Sequence, residues 1–235
     1  MTKPIELYFW PTPNGYKITI MLEECGLPYE VRPVDITRGG QFAPQFLAIS
    51  PNNRMPAIID PEGPDGKPIS VFESGAILQY LGRKAGKFYP RRPRARVEVE
   101  QWLFWQVGGL GPMAGQCHHF RNYAPEKIPY AINRYIDEVN RLYGVMNRRL
   151  KDREFLAGSY SIADMACFPW ARGWKNQGQD IAEFPHLGAW LDRIAARPAV
   201  ARALEVGREL RERTNLAEDK EAQKVLFGQR ARSNA

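Results

Sequence analysis

The chain has 235 residues, 44% hydrophobic and 25% charged; that is enough to bury a sizeable core and ordinary for a globular protein, so disorder and fibre are excluded. At roughly 150 residues per domain this is one large domain or two small ones, and no apolar run approaches the roughly 20 residues that span a bilayer. The net charge of +7 is uneven: residues 1–90 hold nine Lys/Arg and nine Asp/Glu, so the remaining 24 basic and 17 acidic groups in residues 91–235 carry all of it.

The first 90 residues alternate strand and helix signals. Ile5 to Phe9 reads as a strand stopped by Pro11 and Pro13. Apolar residues at Ile18, Met21, Leu22 and Cys25 give Gly15–Cys25 a helical spacing, with Gly26 as its stop. Strands are expected at Tyr29–Asp35, Ala57–Asp60 and Ile69–Phe72, a short helix at Ala43–Ile49, and a helix from Gly75 to Lys84. This β-α-β-α-β-β-α order predicts a mixed sheet flanked by helices. Pro90 to Arg94 reads as a linker, followed by helical stretches at 95–121, 130–152, 162–175, 187–196 and 199–213. Gly108-Gly109 and Gly111-Pro112 are expected to bend the first of these. Asp219 to Ala235 is polar and reads as a mobile tail.

The basic excess is concentrated in Arg91-Arg92-Pro93-Arg94-Ala95-Arg96 and the end Gln229-Arg230-Ala231-Arg232. No nucleic-acid motif accompanies it, so it reads as a solvated basic face, and no nucleic-acid partner is expected. Cys25, Cys117 and Cys167 are odd in number, far apart and form no CxxC pair, which argues against a disulfide framework or a dithiol redox site. With Met1 to Pro4 leading straight into a strand, the expectation is a cytoplasmic protein without a targeting segment or membrane partner. Cys117-His118-His119 looks like a metal triplet, but adjacent helical residues point to different sides, so no metal site is expected and lining a cleft is the better role. The tryptophans of the helical half, Trp170 among them, read as packing.

Ser161-Ile162-Ala163-Asp164 has the spacing of a capping box, in which the Ser161 hydroxyl takes the Asp164 amide and the Asp164 carboxylate returns to the Ser161 amide. This is a folding signal. The chemistry falls on three loops that the sheet would bring together. In Pro11-Thr12-Pro13-Asn14-Gly15, before the first helix, Thr12 and Asn14 can donate neutral hydrogen bonds beside a helix N-terminus. They suit the stabilisation of a thiolate carried by another molecule; the same residues also read as turn and cap chemistry. In Ser50-Pro51-Asn52-Asn53-Arg54-Met55-Pro56 the proline would leave the Met55 backbone outward for a peptide-like ligand, with Arg54 near a carboxylate; an edge-strand proline is the alternative. In Phe72-Glu73-Ser74-Gly75 the amides after Ser74 can hold a carboxylate and Glu73 an ammonium group, which fits an α-amino acid end as well as ordinary capping.

Taken together, Arg54-Met55-Pro56-Ala57, Glu73-Ser74-Gly75-Ala76-Ile77 and Ser161-Ile162-Ala163-Asp164, in this order over residues 5–213, resemble the glutathione transferase superfamily. Pro11-Thr12-Pro13-Asn14-Gly15, Gly39-Gly40-Gln41-Phe42, Trp102-Leu103-Phe104-Trp105-Gln106 and Ile128 to Tyr135 further resemble its bacterial nu class, which is close to the transferase-like domain of the yeast nitrogen-regulator prion protein and includes disulfide-bond oxidoreductases. The resemblance implies an α/β plus all-α fold: a thioredoxin-like glutathione-binding domain at 1–88, an all-helical domain at 95–213, and a polar C-terminal tail at 214–235. It implies a cis Met55-Pro56 bond, Met55 against the cysteinyl backbone of glutathione, and Glu73 and Ser74 on its γ-glutamyl end. Gln41, Asn53 and Arg54 would lie near the glycyl carboxylate, Thr12 and Asn14 would face the sulfur, and Arg134 would help close the site. No cysteine stands where other classes place one, so the redox couple would be two bound glutathione thiols and their disulfide. The implied activity is glutathione-dependent disulfide reduction by a homodimer. Conjugation of small electrophiles, peroxide reduction and a non-catalytic binding or regulatory module stand as alternatives. Tyr8, near the register of a catalytic tyrosine in other classes, is expected to be structural.

Overall fold

The computed structural model describes residues 3–212, 216 and 218–230; readings that fall on Met1, Thr2, 213–215, 217 and 231–235, the Ala231-Arg232 end included, lie outside the described residues. β1 (Ile5–Phe9) buries Ile5, Leu7 and Phe9 in strict alternation, the period of a strand facing a core. α1 spans Pro13–Cys25, two residues longer than its apolar spacing predicts, because Thr12 caps it and Pro13 takes the first helical position without an amide to lose. There follow β2 (Tyr29–Pro33), α2 (Pro44–Leu47), β3 (Ala57–Asp60), β4 (Ile69–Phe72) and α3 (Ser74–Ala85). The sheet order is β2-β1-β3-β4, with β1 parallel to β2 and antiparallel to β3, and β3 antiparallel to β4.

The second half is helical. The single helix expected over 95–121 is four pieces: α4 (Pro93–Trp105), a π-helical turn Gln106–Leu110, α5 (Gly111–His118) and a second π-helical turn His119–Tyr123. The paired glycines and the missing amide of Pro112 permit the wider winding of the first of these turns. α6 (Pro129–Arg149), α7 (Ile162–Ala171), α8 (Pro185–Ala195), α9 (Pro198–Glu205) and α10 (Arg208–Glu212) complete the bundle. Part of the expected tail is a further helix, α11 (Lys220–Phe227). Its order has a local cause: the Asp219 side chain accepts from the Ala222 N–H at 2.9 Å, and Ala222 is fully buried. None of the helices among the described residues is long and apolar enough to cross a membrane.

α1 is the shared wall between the halves, packing on α3 within the sheet unit and on α7 and α9 within the bundle. One continuous core therefore includes Ile18, Met21 and Leu22 together with Phe168 and Trp190. Arg197, at the N-cap of α9, clamps Glu24 of α1 through Nε and Nη2 at 2.5 and 2.9 Å, a bidentate geometry. The capping box at the start of α7 forms in both directions, and the Ser161 hydroxyl also accepts from the Ala163 N–H at 3.3 Å. The Asp164 carboxylate takes the Ser161 and Leu156 amides and the Trp190 indole, each at 3.0 Å.

Candidate active site

α1, the loop before β3 and α5 converge on a cavity of about 300 Å³. Thr12, Asn14, Gln41, Asn53, Arg54 and Met55 all line it. At the start of α1, a Cβ on Gly15 would stand 2.4 Å from the Trp10 carbonyl oxygen, so only glycine lets the chain turn this tightly into the helix. Thr12 Oγ1 accepts from the Gly15 N–H at 3.2 Å and donates to Met55 Sδ at 3.4 Å.

Asn14 is oriented from the other half of the molecule. Its Oδ1 accepts from Trp170 Nε1 of α7 at 3.0 Å. With its oxygen taken, the amide presents its NH₂ as the remaining functional group. The helix dipole adds partial positive charge at the same end.

The Met55-Pro56 bond is cis, as the resemblance implies. Among the described residues no hydrogen bond uses the Met55 backbone N–H or C=O. The preceding turn is fixed by Ser50, fully buried, whose hydroxyl donates to the Arg54 carbonyl at 2.7 Å. Asn53 sits in the left-handed region at φ 48°. Gln41 is buried: its Nε2 donates to the Ile36 carbonyl at 3.2 Å, while its Oε1 has no partner among the described residues.

Four expected residues do not line this cavity: Pro56, which follows the lining Met55, and Glu73, Ser74 and Arg134. Glu73 and Ser74 sit at the N-terminus of α3, where no side chain caps the first turn and Glu73 holds φ +67°. Lys17 of α1, buried, donates from Nζ to Ser74 Oγ at 3.2 Å and to Gln106 Oε1 at 2.6 Å. Burial pulls the Lys17 ammonium down to about 7, against the nearby Cys167 and Glu73, which favour its charge. Arg134 lies on α6, half exposed and 3.8 Å from Glu138.

None of the three cysteines lines the cavity. Cys117 donates to the Gln177 carbonyl at 3.4 Å, and burial pushes its thiol up to about 11; burial does the same to Cys25 and holds Cys167 well above the ordinary thiol range. Tyr8 is equally committed, its hydroxyl donating to Glu6 Oε2 at 3.1 Å. The opposite wall comes from residues that no local motif marks: Trp170, Tyr123, Leu226 and Phe227, with His118 and His119 of the sequence triplet. His118 Nε2 and His119 Nδ1 are buried without partners among the described residues, and burial lowers both imidazoles.

Residues 3–83 match the family model of the glutathione S-transferase N-terminal domain, and residues 130–198 that of its C-terminal domain. The chain belongs to the glutathione S-transferase family. It is 55% identical over 202 residues to the disulfide-bond oxidoreductase YfcG of Escherichia coli, covering 85% of this chain and 94% of that protein. A glutathione transferase from Burkholderia graminis, solved with two glutathione molecules bound per subunit, superimposes with a TM-score of 0.83 at 45% identity over 87% of this chain and 89% of that one. One from Pseudomonas putida, solved with one glutathione disulfide bound per subunit, gives 0.83 at 43% identity over 86% and 91%.

Proposed function

We propose that this transferase-family protein is a glutathione-dependent disulfide reductase whose reacting sulfurs all belong to its ligands. The observation that carries this reading is the pairing of a donor-lined cavity at the α1 N-terminus with three cysteines that lie outside it and are held as thiols. A free thiol has a pKa near 8.5, and lowering it by about two units takes roughly 2.7 kcal/mol of preferential thiolate stabilisation. The Asn14 NH₂, the Thr12 hydroxyl and the dipole of α1 together have that size. Thr12 donates to a thioether, a weak acceptor, and a bound thiolate outcompetes it for that hydroxyl.

The chemistry is thiol–disulfide exchange. A glutathione thiolate attacks one sulfur of the substrate disulfide; the S–S bond breaks, one substrate thiolate leaves and takes a proton, and a mixed disulfide remains. A second glutathione thiolate attacks the glutathione sulfur of that intermediate and releases the other substrate thiol. Two electrons pass from two glutathiones to the substrate, and glutathione disulfide is the product.

In this reading the unpaired Met55 backbone groups pair with the cysteinyl unit, Pro56 shaping the turn. Glu73, Ser74 and the open amides of α3 hold the γ-glutamyl end. Lys17 already donates to Ser74, which leaves the serine hydroxyl to donate to a carboxylate. Arg54 and Asn53 take the glycyl carboxylate. Gln41 has an acceptor without a partner among the described residues, which serves a ligand N–H. Arg134 swings from its exposed contact with Glu138 to close the site. Residues 1–88 hold the tripeptide, 95–213 supply the opposite wall, and the segment from 214 adds to that wall.

The unit is read as a homodimer, since Val97 and Phe104 on one face of α4 are 52% and 64% exposed and Phe72 at the end of edge strand β4 is exposed as well; a second copy would cover them. Unpaired cysteines suit the cytoplasm. The deciding experiment measures turnover of glutathione with bis(2-hydroxyethyl) disulfide by a variant with Cys25, Cys117 and Cys167 all changed to alanine. Retained turnover is expected; its loss in a folded variant would move the chemistry onto a protein thiol.

A further inference from the structure

α11 lies beyond the two family-model segments, which end at residues 83 and 198, yet it forms one side of the cleft facing Asn14. It is tied down at both ends. Arg38 Nη2 meets Asp219 Oδ2 at 3.2 Å, and Asn53 Nδ2 donates to Gln229 Oε1 at 3.4 Å. Between these ties Phe227 packs its ring edge-on to His119 at 4.6 Å and nearly parallel to Tyr123 at 6.0 Å. The ring is 42% exposed, so it is not a core residue that merely ends here: it stands at the boundary between cavity and solvent. With Leu226 it reduces the cavity to about 300 Å³, the lower limit of ordinary ligand sites.

We propose that Phe227 determines which disulfides enter: it admits low-molecular-mass disulfides with a small aliphatic or aromatic substituent and turns away disulfides carried on long peptides or folded proteins. The inference rests on the reductase reading above. Its physical basis is steric. Ile36, Trp170 and Tyr123 complete a largely apolar pocket around the sulfur position, so a compact apolar group is desolvated there favourably. A chain continuing from that group meets the Phe227 ring, which His119 and Tyr123 hold in place. Because α11 is anchored through Asp219, loosening that anchor relaxes the same barrier without touching the pocket.

The test compares kcat/KM for bis(2-hydroxyethyl) disulfide with that for a glutathionylated peptide long enough to extend past the cleft, in wild type, Phe227→Ala and Asp219→Ala. The peptide-to-small ratio should rise about tenfold in Phe227→Ala and move in the same direction in Asp219→Ala. Wild type active on the small disulfide, with the ratio unchanged in both variants, overturns the inference and leaves the reductase reading standing. Wild type inactive on the small disulfide overturns both.

Discussion

Trp170 Nε1 donates to Asn14 Oδ1 at 3.0 Å, joining residues 156 apart in the sequence. The bond occupies the asparagine oxygen and leaves the NH₂ as the donor for a ligand in the proposed site, so a residue of the helical half decides the polarity of a group in the sheet half. Trp170→Phe keeps the packing and removes the donor. It should lower kcat/KM with glutathione and a small disulfide about tenfold, or about 1.4 kcal/mol, while glutathione affinity by calorimetry changes little. Asn14→Asp should lose more than Asn14→Ala, because a carboxylate then faces the thiolate. The pH–rate profile is the discriminating readout: its acidic limb should move to higher pH in each variant, whereas a merely structural defect would lower the whole curve without displacing it.

Lys17 makes stability depend on pH. Its pKa of about 7 in the folded protein lies below its unfolded value of 10.5, so between these values the unfolded chain binds the extra proton. Stability therefore rises with pH across that window, by up to about 1.4 kcal/mol per unit, and the penalty is complete below pH 7. Lys17→Met should remove this rise, so that the stability difference between variant and wild type, read by urea unfolding, changes with pH over this range. A variant profile parallel to wild type would place the titration elsewhere.

Asp164 has no exposed surface and receives the two amides and the indole described above, along with the Ser161 hydroxyl at 3.3 Å. Burial lifts its carboxyl to about 6 even though these donors pull it down. Asp164→Ala strands the donors in the core and should destabilise by about 3 kcal/mol, read by chemical denaturation. Specific activity of the remaining folded fraction should be unaltered, since Asp164 lies outside the cleft lining.

Phe104→Ser removes the largest exposed ring on α4. If the proposed dimer forms through this face, sedimentation should show dimer for wild type and monomer for the variant at micromolar concentration. A dimer of undiminished stability would place the interface on another face.

The strands and helices of the sheet half follow their predicted order because each is written locally: alternation in β1, Thr12-Pro13 at the start of α1, Gly26 and Gly86 in the left-handed region at helix ends. The capping box at Ser161 is local in the same sense. The 95–121 stretch divides into α and π turns because periodicity measures which face is apolar, not how tightly the backbone winds. α11 escaped the reading because its composition is polar; its order depends on Asp219 and on partners such as Arg38 that lie far away in the chain.

The site divides along the same line. Thr12, Asn14, Gln41, Asn53, Arg54 and Met55 come from short loops whose residue types announce polar contacts, and they do meet at one cavity. The cis bond is legible only through the family resemblance, and α3 starts without a side-chain cap where the residue types offer Ser74 as one, because Ser74 is already the first helical residue. Tertiary structure alone decided that the Asn14 oxygen meets Trp170, that the Gln41 oxygen is left without a partner among the described residues, and that Phe227 closes the wall. Each of these is a hydrogen bond or ring contact between distant segments, and the direction of a side chain's last rotatable bond is chosen by the partner it meets, which the order of residues does not state.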